Sequence, residues 1–442
     1  MVMKRFGLRG LLFLPLMLSL LTMMLSSCGA SRGPNELVFW TANTGDIDMS
    51  AQKQIVDAFN KANPDLHVTL VGVPGGISNL APLVTAVRGG TGPDVYFLDR
   101  FTVSQFAAIG LLNDLQPYVS KEGQDLSQLY EPFAWQETQF QGHTYALPMD
   151  TDARALYYNK DLLSQAGVDP AILDPKNGPI SIDTLKQIAF KVNHKDSRGA
   201  YDRLGFIPWD NQAFHVTWAL DFGAKFIDKA KCQVTPTEPA MMESLQLIND
   251  WAKELDPHKV QAFLDTYQPA NSPPSQTAFF TGHLAMELTG DWELSSLQKY
   301  APNLHYGITY VPVMSGKTPF TWAGGFSTVM PTNAHNPQGA YRFMRFMTGP
   351  DGQRIYTKVT THLPTYKSLL TDDSLFDTNH RFFTKMLSDA HSRPPMPVWS
   401  QLWDEFNTAS DKVRLGEATP QQALQSVYDR VQPQLVQYCP LR

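Results

Sequence analysis

The stretch Gly92-Pro93-Asp94-Val95-Tyr96-Phe97-Leu98-Asp99-Arg100-Phe101 carries the reading of the fold. A Gly-Pro turn delivers the chain into four consecutive apolar residues, the pattern of a short buried strand, and the strand ends at a charged pair. Upstream, Leu37-Val38-Phe39-Trp40 reads as a first buried strand. Ile55, Val56 and Phe59 then recur at helical spacing until Asn63-Pro64 stops the run, and Val68, Leu70 and Val71 open another strand. Leu83, Val84 and Val87 mark a second helix, which breaks at Gly89-Gly90. Strands alternating with helices predict an α/β lobe on a largely parallel sheet.

Downstream, residues 144–161 form an extended alternation of polar and apolar side chains leading into a helix, a segment suited to cross between two lobes. Residues 321–331 are again extended and Gly-rich. Asn336 then caps a helix that Pro337 opens, with Ala340, Phe343, Met344 and Met347 on its buried face and Gly349-Pro350 at its end. Thr419 and Pro420 repeat the device for a last helix with Ala423, Leu424, Val427 and Val431 as its apolar stripe. There is no internal repeat, only a Pro-rich loop at Pro394, Pro395 and Pro397.

The N-terminus reads as a secretion signal. Lys4, Arg5 and Arg9 precede an apolar run over 11–25, too short and wrongly flanked for an ordinary membrane span. Leu25-Ser26-Ser27-Cys28 resembles a bacterial lipoprotein processing box, which makes 1–27 a lipoprotein signal peptide, Cys28 the lipidation site and 28–34 a tether. The expected location is extracytoplasmic, lipid-anchored to the cell membrane, in the periplasm or on the outer face. Losing the leader's three positive charges takes the formal net charge from −6 to −9, and no basic run remains, which argues against nucleic acid as a partner. The remaining length exceeds what one hydrophobic core usually serves and predicts two lobes. Cys232 and Cys439 would share an oxidising compartment; a bridge and two separately buried thiols both stay open.

Six motifs in order carry a resemblance: Gly92-Pro93-Asp94-Val95; Asp99-Arg100-Phe101; Leu147-Pro148 through Tyr157-Tyr158-Asn159-Lys160; Gly290-Asp291-Trp292; Trp322-Ala323-Gly324-Gly325-Phe326; and Asn336-Pro337 through Gly349-Pro350-Asp351-Gly352-Gln353. Together they resemble the extracellular solute-binding proteins of carbohydrate ABC transporters, the maltose-binding-protein-like family. The resemblance implies the α/β, two-lobed periplasmic-binding-protein fold, with hinge strands and a ligand cleft between the lobes. It places hinges near 148–154, 322–328 and 362–367. The N-terminal lobe is then discontinuous, 35–149 plus 326–363, and so is the C-terminal lobe, 153–322 plus 367–442. It also implies a sugar ligand, ABC transporter permease subunits as partners and a monomer that needs no cofactor.

A sugar presents hydroxyls at its rim and C–H bonds on its faces, so its site calls for planar charged groups and aromatic surfaces. Asp99 and Arg100 stand at a strand's carboxyl end, where open α/β sheets place ligands. Asp150 and Asp152, two apart on an extended segment, face the same side, and Arg154 continues that face. Asp152 and Trp292 match a binding carboxylate and a stacking aromatic of the family. Trp322 stands beside Gly324 and Gly325, whose missing side chains admit a ligand or a hinge turn. Core packing is the default for Trp40, Trp209, Trp218, Trp399 and Trp403; Trp399, presented by the Pro-rich loop, Arg393 just before that loop, and Trp40 nevertheless complete the candidate set. The rival reading is a secreted carbohydrate-active enzyme, a hydrolase or lyase using the Asp150/Asp152 pair. Another polar solute such as glycerol-3-phosphate is a second alternative. No nucleophile elbow, zinc-binding His pair or phosphate loop occurs, and the 11 histidines form no metal pattern.

Overall fold

Leu37 and Phe39 are buried while their neighbours are not, as expected of a strand with one face on a core. The computed structural model describes residues 33–74 and 80–441, so the signal peptide, Cys28 and most of the tether lie outside the described residues. The chain enters through β1 (Glu36–Thr41), α1 (Asp46–Ala62), β2 (His67–Gly72), α2 (Ala81–Arg88) and β3 (Val95–Asp99). After β4 (Ala146–Pro148) it crosses by β5 (Asp150–Thr151) into β6 (Arg154–Asn159). Helices α3 (Pro239–Leu255) and α4 (Pro257–Tyr267), β7 (Met286–Gly290), α5 (Glu293–Tyr300) and β8 (Tyr306–Thr309) follow. The return crossing is β9 (Thr321–Ala323) and β10 (Phe326–Val329), leading to α6 (Pro337–Thr348) and α7 (Pro350–Thr360). A third crossing, β11 (Leu363–Pro364), precedes β12 (Ala390–Ser392), α8 (Trp399–Arg414) and α9 (Pro420–Val436).

The first sheet has the order β2-β1-β3-β10-β4, with β1, β2 and β3 parallel and β10 antiparallel to both its neighbours. The second lobe is built on an antiparallel sheet, β7-β6-β8. β11 pairs with β5, so two of the crossings run side by side. The helix caps form where the sequence places them: the Asn336 side chain accepts from the Gly339 N–H, and Thr419 with Gln422 makes a full capping box.

The core divides with the sheets. One set of buried residues runs from Leu37 to Met149 and resumes from Phe326 to Tyr356; another runs from Ala153 to Ala323 and resumes from Leu363 to Leu435. Cys232 and Cys439 are bonded to each other, with Cα atoms 6.0 Å apart, and both ends lie in the second lobe.

Candidate functional site

A network of backbone and side-chain bonds ties the three crossings together, and it claims several residues that the sequence assigns to ligand. Arg100 is fully buried. Its Nε donates to Glu137 at 2.9 Å, and its two terminal nitrogens donate to the carbonyls of Asp150, Gly324 and Phe326. Four donations, one to a carboxylate and three to carbonyls, are thus spent between the lobes, beneath the cleft floor. Asp150 is 1% exposed, accepts from the Phe326 N–H at 2.5 Å and stands outside the lining of the cavity between the lobes. Gly324 donates to Asp152 and accepts from Arg100 and Thr151, which makes it a tie in the hinge. Asp291, also buried, accepts from the Ala153 N–H at 2.9 Å and the Leu363 N–H at 3.0 Å.

Trp399 and Trp40 also stand apart from the cleft. Trp399 is fully buried with its ring 5.0 Å from that of Phe226 and its Nε1 donating to the Pro394 carbonyl. Trp40 packs half-buried against the first lobe's α2–β3 cluster. At Gly325, by contrast, glycine is required: φ is 120°, and a Cβ would meet the Asp150 carbonyl at 2.5 Å.

The remaining candidates converge on a cavity of about 450 Å³ between the lobes, within the range of small-ligand sites. Asp99, Phe101 and Phe326 face it from the first lobe; Asp152, Arg154, Trp292, Trp322 and Arg393 face it from the second. Asp152 pairs with Arg154, whose guanidinium lies 3.4 Å from the Trp322 ring centroid and 5.3 Å from that of Trp292. Arg393 reaches across to Asp99 at 3.1 Å and lies over the Phe101 ring at 4.4 Å. Trp322 is 1% exposed and donates from Nε1 to Thr217 at 2.9 Å, whereas Trp292 keeps part of its ring open to the cavity. Gly290 explains the Gly-Asp-Trp motif: a Cβ there would stand 2.0 Å from the Trp292 ring, so only glycine lets the ring fold back.

Sequence reasoning missed Asn43, Asp48, Gln212, Phe214, His362 and Trp403, which also line the cavity. Gln212 and Phe214 belong to a loop with no periodic or motif signal; His362 stands at the start of the third crossing, where its position was the available cue. Across the mouth, Tyr300 donates to Asp46 at 2.7 Å and Lys299 pairs with the same carboxylate.

In the floor itself, the His362 Nδ1 lies 3.6 Å from Asp150 and 3.9 Å from Asp291. Burial draws the imidazole pKa down, but Asp150, Asp291, Asp48 and Asp152 outweigh it and hold the pKa above its ordinary value. Burial pushes Asp150 up to about 7, and Asp291 and Glu293 upward too. These carboxyls keep their protons in the fold at pH values where the unfolded chain has lost them. Stability therefore falls as pH rises from the ordinary carboxyl range through about 7, and the His362 contribution, complete below 6.5, is lost as pH rises through its raised value. His215, held down to about 3 by burial, opposes this only as pH falls below its ordinary 6.5. The protein is expected to melt at higher temperature at pH 6.5 than at pH 8, by the equivalent of about 1 kcal/mol or more. Calorimetric melts at the two pH values check this, and a flat or rising Tm toward pH 8 contradicts it.

The profile of the family described as bacterial extracellular solute-binding protein matches residues 42–354. A protein of Brucella abortus (strain 2308), named as a binding protein without a stated ligand, is 25% identical over 408 residues, 90% of this chain and 92% of its own. The maltotriose-binding protein of Pyrococcus abyssi (strain GE5 / Orsay) is 22% identical over 87% of this chain and 78% of its own. A structure solved with mannotriose bound superposes at a TM-score of 0.77 and 22% identity, over 89% of this chain and 99% of that one. With a profile match over most of its length and two lobes closing on a lined cleft, this chain belongs to the bacterial extracellular solute-binding proteins.

Proposed function

We propose that this protein captures a neutral di- or oligosaccharide in the cleft and delivers it to the permease subunits of an ABC importer, acting as a monomer held to the membrane through lipidated Cys28. The observation that carries the reading is the pairing of aromatic surface with planar charge in one cavity: Trp292 and Phe101 offer faces, and the Asp152/Arg154 and Asp99/Arg393 pairs offer rigid hydroxyl partners. The maltotriose-binding relative and the mannotriose-bound neighbour support it. A phosphate monoester fits less well, because both cleft arginines are already matched by carboxylates, and Asp48 and Asp404 add further negative charge. Membership of the two cores supports the division into 35–149 plus 326–363 and 153–322 plus 367–442, with Ala323 and Leu363 at the seams packing into the second core. Ligand binding shifts the lobes toward the state in which both halves of the cleft are engaged.

Titration calorimetry against a panel of oligosaccharides tests the function: heat and thermal stabilisation without hydrolysis products are expected, and product formation refutes it. Trp292→Ala is expected to weaken sugar binding at least several-fold, about 1 kcal/mol of stacking, with Trp292→Phe retaining part of the affinity. A Tm drop equivalent to about 3–5 kcal/mol with affinity intact would make Trp292 a core residue instead. For the anchor, Cys28→Ala is expected to move the protein from the membrane to the soluble fraction. Unchanged membrane retention refutes lipidation there.

A further inference from the structure

Beside the cleft, a second cavity of about 270 Å³ opens on the second lobe, between the 209–215 loop, α4 and α8. Phe214 lines both cavities. Its ring stands edge-on to Trp403 at 5.2 Å and to Trp322 at 6.2 Å, so it is a shared wall whose other side borders the second space.

The lining of this second cavity has the same chemistry as the cleft. Trp209 supplies an aromatic ring, and the Arg414 guanidinium lies 5.8 Å from its centroid. Arg414 donates to Asp411 at 2.9 Å, which again leaves a planar charge already neutralised by a carboxylate. Asn407, exposed on α8, adds an amide with both donor and acceptor. His215 is 1% exposed, and its Nε2 has no hydrogen-bond partner among the described residues; the Nε1 of Trp209 has none either. Two orphaned donors or acceptors in the wall of one cavity are costly unless something polar completes them. Burial holds the His215 pKa low, and the neutral imidazole Nε2 can donate to or accept from a hydroxyl.

We propose that this second cavity is a subsite for a further sugar unit of the same ligand, which passes over Phe214 from the cleft, so that the protein favours oligosaccharides of three or more units over disaccharides. The proposal rests on the sugar-binding reading above. An aromatic face, a neutralised guanidinium–carboxylate pair and unpartnered polar atoms suit a polyhydroxylated ring; a hydrophobic ligand would leave those atoms unpaired, and an anion would meet Asp411.

The test is titration calorimetry with gluco- and manno-oligosaccharides of two to six units on the full chain and on Trp209→Ala and Asn407→Ala. Wild-type affinity is expected to rise at least fivefold from dimer to tetramer, and each variant to lose most of that gain while binding the dimer as the wild type does. Asn407 faces solvent, so its variant decides the matter should Trp209→Ala melt early. Length-independent affinity in the wild type overturns the subsite and leaves sugar binding in place, as does equal weakening of dimer and tetramer in the variants. A wild type that binds no sugar of either series overturns the function and the subsite together.

Discussion

Arg100→Ala is expected to lower folding stability by about 3–5 kcal/mol, the cost of leaving a buried ion pair with one partner. Glu137 would lose its hydrogen-bonded countercharge in a site where burial already pushes its carboxyl pKa upward, with Arg393 the remaining positive charge acting on it, and the carbonyls of Asp150, Gly324 and Phe326 would lose a shared donor at the point where the lobes meet. Arg100→Lys is not expected to rescue it, because one ammonium cannot serve carbonyls and a carboxylate arrayed around a planar fork. Adding Glu137→Gln to the alanine variant should recover part of the loss by removing the stranded charge. Denaturant titration of the four proteins measures this. The opposite pattern, intact stability with sugar affinity abolished, would return Arg100 to the ligand site.

The second large effect concerns the covalent link. Replacing Cys232 and Cys439 by serine is expected to cost about 2–5 kcal/mol, since the bond closes a loop spanning 207 residues and restricts the unfolded chain. Ligand affinity should stay within about twofold, because both ends lie in one lobe and the bond crosses no hinge. The checks are melts of the double variant and of the wild type with and without reductant. A destabilisation accompanied by a large affinity change would show that the bond shapes the cleft.

The fold was legible because its signals are local and ordered. The strand–helix alternation from Leu37 to Leu98, the caps at Asn336 and Thr419, and the extended segments at 144–161 and 321–331 each depend on neighbours a few residues away. The cleft was legible where a side chain has one plausible destination, as with Trp292 behind Gly290. It was less so for Arg100 and Asp150, since a charged residue at a strand end looks the same in sequence whether its partner is a ligand or a carbonyl 224 residues away. Trp399 and Trp403 show the same limit: they sit four apart on one helix face, yet only Trp403 reaches the cavity, because Phe226 and the Pro394 carbonyl enclose the other. The disulfide depends wholly on tertiary geometry.

The position of β10 in the first sheet has a consequence for how the protein is made. This strand lies between β3 and β4, and Ser327 bonds to Leu98 across 229 residues, so an emerging chain holds open strand edges in the first lobe until the intervening part of the second lobe has been synthesised. Such long-range closure slows folding and prolongs the interval in which unpaired edges invite aggregation. In a family described as extracellular, the same delay keeps the first lobe's sheet incomplete for as long as the chain is short of β10.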